Sequence, residues 1–130
     1  MHTLINANGV LEPSFHYSHA VRAGDTIYVS GQASLDVNKE LVGRGDVAVQ
    51  TRQVLDNMKV VLAAAGATLD DVVKVTVYLV DRDDRARVNE VRKAYFGANR
   101  PASTLVEVSR FPIDGMLVEM EAVAVVRNAA

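Results

Sequence analysis

At 130 residues, 49% of them apolar and 23% charged, the chain has the size and composition of one globular domain, 1–130, with no room for a second. Its 14 lysines and arginines against 16 aspartates and glutamates leave a net charge of -2, which argues against a broad nucleic-acid footprint. The absence of cysteine removes disulfides, thiolate nucleophiles and zinc–thiolate sites together, and fits a reducing compartment.

The opening MHTLINANGV has neither a basic n-region nor an apolar h-region, and no apolar run approaches the length of a bilayer span. The expectation is a cytoplasmic protein with no membrane partner. Met1 to Ala7 reads as a short edge strand ending at the turn dipeptide Asn8-Gly9. After the polar and aromatic loop Glu12 to Tyr17, His19 to Ala23 and Thr26 to Ser30 read as a hairpin turning at Gly24-Asp25, closed by Ser30-Gly31-Gln32. Gly31 leaves room for another backbone or a ligand to approach.

Leu35 to Gly45 is a polar connection, and Asp46 then caps a helix. Along it Val47, Val54, Leu55, Met58, Val61, Leu62 and Ala65 recur at helical spacing until Gly66 stops the run. Val73 to Leu79 alternates as a strand with its valines toward the helix. Asp81, Asp83 and Asp84 sit where a second helix begins, about Asp84 to Phe96, with Val88, Val91 and Tyr95 as its apolar stripe and Arg85, Arg92, Lys93 and Glu90 on a solvated face. Ser103 to Val108 is extended. The long strand Leu117 to Val126 follows a loop marked by Pro112 and Asp114-Gly115. The order predicts an α+β domain with both helices on one face of a mixed, mainly antiparallel sheet of about six strands.

The final strand is apolar on both faces, so a second copy of the chain is expected to cover what the helices leave open. On one of those faces Glu119 and Glu121 stand about 7 Å apart, a spacing that suits a general base beside a second acid and equally suits interface hydrogen bonds. No phosphate loop, nucleophile elbow, HExxH or CxxC is present. His2, His16 and His19 lack the further grouped ligands that a metal site needs, and Ser30, Ser103 and Thr104 have no identifiable base partner.

Taken together, Tyr17, Ser30-Gly31-Gln32, QTRQVLDNMK from Gln50 to Lys59, Val88-Asn89, Arg100 to Val108 and the closing VEMEAVAV resemble the RidA/YjgF family over nearly the whole chain. The resemblance implies a chorismate mutase-like fold, a homotrimer with ligand clefts between subunits, no cofactor, and hydrolysis of a reactive enamine or imine to a keto product and ammonia. It places Tyr17, Gly31, Asn89, Ser103 and Leu105 at ligand-binding positions and Glu119 at the carboxylate beside the reacting water. Ser103 stands where the family's deaminases carry an arginine for the substrate carboxylate, so a substrate other than a simple 2-imino acid is expected. Arg100, by strand parity on the opposite face, is a poor replacement. The alternatives are a non-catalytic trimer that binds a small metabolite and, more weakly, an RNA-acting or protein-binding trimer.

Overall fold

The last strand among the described residues, Val118–Val125, has helix-packed and open faces in strict alternation. Val118, Met120, Ala122 and Ala124 are buried, while Glu119, Glu121 and Val123 are only partly covered. It is one of the two central strands of the computed structural model, which describes residues 1–126; the end of the predicted domain, 127–130, lies outside the described residues. The elements are β1 (His2–Ile5), β2 (Ala20–Ala23), β3 (Thr26–Ala33), α1 (Val47–Ala64), β4 (Val72–Leu79), α2 (Arg85–Phe96), β5 (Ala102–Glu107) and β6 (Val118–Val125). They form the predicted α+β architecture, with a 6-stranded sheet in the order β1-β2-β3-β6-β4-β5. Among the described residues only β4 and β5 run parallel, and a crossover through α2 joins them. Among the described residues no helix is long and apolar enough to cross a membrane.

Helix α1 carries the core. Asp46 accepts from the Ala48 and Val49 amides at its start, and Gly66, at φ +85°, lets the Ala67 amide return to the Leu62 carbonyl at its end. Val54, Leu55, Met58, Val61 and Leu62 are completely buried against the sheet. Two amide side chains share this buried face. Gln50 donates to the Gly43 and Gly115 carbonyls and accepts from the Leu117 amide, fixing the entry to β6. Asn57 donates to the carbonyls of Ala33 and Leu35, fixing the exit from β3. Each satisfies backbone groups that a helix of pure hydrophobes would leave orphaned.

Two bulges depart from the simple alternation expected. In β4 the register shifts between Val72 and Lys74, so Val72 and Val75 both point into the core and Val73, expected to face the helix, is 47% exposed. In β3 the shift falls between Val29 and Gln32, and the strand runs on to Ala33 instead of ending at Ser30-Gly31-Gln32. His19 also lies outside β2. Its Nδ1 accepts from the Ala7 amide at 2.9 Å, so its Nε2 donates to the Leu11 carbonyl at 2.7 Å, and the buried ring ties the N-terminal segment down. At the other end, Asp81 caps a single 3-10 turn, Arg82–Asp84, that leads into α2.

Truncating Met58 or Leu62 to alanine removes side chains from the centre of this interface. Each is expected to cost about 2–5 kcal/mol in equilibrium urea denaturation. A loss under about half a kcal/mol would mean that the helix packs by another face.

Candidate active site

Glu119 sits near the start of β6, on the sheet face turned away from the helices. Its cross-strand neighbours are Ala33 on β3 and Tyr78 on β4. The β3 bulge places Ser30 and Gly31 opposite this part of β6, and the Glu119 carboxylate lies directly over Gly31: a Cβ there would collide with Oε1. What demands glycine at this position is space for an acid. Gly31 does not adopt a positive φ.

The two carboxylates differ in their surroundings. Glu121 accepts a hydrogen bond from the Tyr78 hydroxyl, and that bond, ahead of burial and the two nearby carboxylates, raises the phenol's pKa. Glu119 has no hydrogen-bonding side chain among the described residues. Burial, with a further push from Glu121, raises its pKa above the ordinary carboxylate value. A carboxyl in that condition changes protonation more readily near neutral pH than a surface glutamate does. Beside the pair, Lys74 donates to the hydroxyls of Thr76 and Thr104, each at 3.2 Å.

Asn89 and Ser103 come together elsewhere, on the helix-covered side. Ser103 is level with buried Val75 in the parallel β4–β5 ladder, so its side chain points toward α2. There Arg92 Nη2 donates to Ser103 Oγ at 2.9 Å. Asn89, Arg92, Lys93, Phe96, Arg100 and Ser103 line a cleft of about 580 Å³. Arg92 is half-buried, and its burial lowers the guanidinium's pKa. The expectation of a solvated Arg92 is corrected: at i+4 from buried Val88 it borders the apolar stripe. That spacing was the available signal. The parity argument against Arg100 also fails, because β5 begins at Ala102 and alternation does not extend back through Pro101.

The other candidate positions stand apart from these two groups. Leu105 follows Ser103 on the same face of β5 and packs half-buried against the core. Tyr17 lies in the loop between β1 and β2, 50% exposed, with its amide bonded to the Phe15 carbonyl. Within one chain, Glu119 with Gly31 and Ser103 with Asn89 occupy opposite faces of the sheet. Two strand spacings, about 10 Å, also separate β6 from β5.

The sequence matches the family described as Endoribonuclease L-PSP over residues 8–126. A RutC family protein of Pyrococcus horikoshii is 46% identical over 95% of this chain and 98% of its own length. The human 2-iminobutanoate/2-iminopropanoate deaminase is 42% identical over 92% of this chain and 84% of its own. Among solved structures, Escherichia coli TdcF with bound serine superposes with a TM-score of 0.89 at 32% identity, covering 96% of this chain and 99% of that one. With a family match that runs from the N-terminal loop to the end of β6 and relatives aligned over nearly their whole length, the chain belongs to the RidA/YjgF family.

Proposed function

We propose that this protein is a hydrolytic deaminase of small imines or enamines that works as a homotrimer with its sites between subunits. The observation that carries the reading is the Glu119 carboxylate, half-buried over Gly31, with a raised pKa and no side chain claiming it among the described residues. The deaminase names of the human, mouse and rat relatives, 42–43% identical, support the same chemistry.

Hydrolysis of a 2-imino acid adds the oxygen of water to the C=N carbon. The ionised Glu119 takes the proton that this water gives up and returns it to the nitrogen. The carbinolamine's hydroxyl proton then passes through the Glu119 carboxylate to the amine nitrogen as the C–N bond breaks, leaving a keto acid and ammonia. One acid of suitable pKa thus serves both transfers, and Tyr78 and Glu121 hold the neighbouring polar surface in place.

The placement of the candidate residues supports shared sites. A small substrate cannot touch Glu119 and Ser103 of one chain across a sheet, so a neighbouring copy must bring the second group. The surfaces for such a contact are the open sheet face, with exposed Tyr28 and Val125, and the outer edge of β5, which no strand among the described residues covers. Trimeric rather than dimeric closure follows from the family resemblance. A metabolite-binding role without turnover is the second reading, favoured by the serine bound in TdcF.

With 2-iminobutanoate generated in situ by an amino-acid oxidase, the protein is expected to accelerate ammonia release, and Glu119→Gln to lower kcat by about 10²- to 10⁴-fold. No acceleration by wild type on 2-iminobutanoate or on other small imines and enamines would leave the binding reading. Because the base form of Glu119 is required and its pKa is raised, kcat/KM is expected to fall as pH drops through a value above the ordinary glutamate pKa of about 4.3. A flat profile down to pH 4 in the wild type would remove Glu119 from the proton transfers. Sedimentation equilibrium at micromolar concentration is expected to return three times the 14.1 kDa chain mass; a stable monomer would refute the shared site.

A further inference from the structure

Arg92 stands out among the charged groups of the molecule. The ion pairs formed among the described residues are Arg44–Asp114 and Lys93–Glu90, so no carboxylate reaches the Arg92 guanidinium. It is half-buried, lines an open cleft of about 580 Å³, and has Ser103 Oγ as its hydrogen-bond partner. A partly desolvated cation without a counter-anion is costly unless an anion arrives.

The hydrogen-bond chemistry of the pair says how an anion would be received. Ser103 Oγ accepts from Arg92, which leaves the serine's own proton free to donate. The guanidinium has further N–H groups beyond the one spent on Ser103. Asn89, one turn earlier on the same side of α2, adds an amide donor at the same cleft. Guanidinium, hydroxyl and amide together present several donors to a single planar acceptor, the arrangement that suits a carboxylate.

We propose that Arg92, held by Ser103, is the residue that grips the substrate carboxylate in this chain. The assignment rests on the deaminase reading for its substrate, a 2-imino carboxylate, with the imine carbon presented to Glu119 of a neighbouring copy. It removes the need for a substrate unlike the simple 2-imino acids. Position 103 supplies the support for a cation that comes from the helix.

The test compares wild type, Arg92→Gln and Arg92→Lys, each checked by circular dichroism. The readouts are ammonia release from 2-iminobutanoate and from a carboxylate-free imine. Losing one charge-assisted contact of this kind is expected to raise KM for 2-iminobutanoate about ten- to hundredfold in Arg92→Gln with a smaller change in kcat. Arg92→Lys, which keeps the charge without the planar fork, is expected to fall between. The carboxylate-free imine should lose little in either variant. Equal KM values in folded Arg92→Gln and wild type, or equal losses on both substrates, would overturn the assignment while leaving the deaminase intact. If the wild type releases no ammonia, the deaminase reading fails by itself, and titration with the keto acid 2-oxobutanoate decides on Arg92. Binding that weakens tenfold or more in Arg92→Gln supports the grip; equal binding, or none to wild type, overturns it.

Discussion

The site depends on how α1 lies against the sheet. Its apolar stripe supplies the burial, with five side chains from Val54 to Leu62 fully removed from water. Burial alone does not fix register, because a greasy stripe tolerates sliding. Gln50 and Asn57 remove that freedom: each spends its amide on backbone groups at a strand end, and a shift of either would leave buried donors and acceptors unpaired. Gln50 fixes the chain two residues before Glu119, and Asn57 fixes it two residues after Gly31. From the opposite face of the sheet, the helix therefore sets the distance between the Glu119 carboxylate and the glycine beneath it.

The spatial separation of charge has its own logic. If Arg92 and Glu119 faced each other in one chain, they would pair, and the pair would hold the carboxylate ionised and its pKa low. Keeping them on opposite faces of the sheet leaves the Glu119 pKa raised and Arg92 without a counter-ion among the described residues.

Much of this was legible in the sequence. The stripe of α1, the alternation of β6 and the Glu119–Glu121 pair follow from periodicity, which reports directly on which face is buried, and the Asp46 cap follows from residue type. The bulges of β3 and β4 were not legible. One extra residue in a strand leaves no mark in an alternating pattern when, as with Val72, Val73 and Val75, either choice of inward residue is a valine. Gly31 was visible as a place of close approach, but what approaches it is set by that bulge. Arg92 was misplaced because its charge outweighed its position beside Val88. Asn89, Ser103, Leu105 and Tyr17 carry no sequence signal of their own; the family resemblance singled them out.

The contact between Glu119 and Gly31 has an unequal effect on folding and on chemistry. A side chain at position 31 would meet the tip of a flexible acid, not backbone, so the carboxylate would swing aside and the strand would stay where it is. The core, packed on the opposite face, would register little. Expression level, solubility and melting temperature would therefore report a healthy protein whose acid points the wrong way. On the proposed reading, a change at this position would alter the reaction while barely touching the fold.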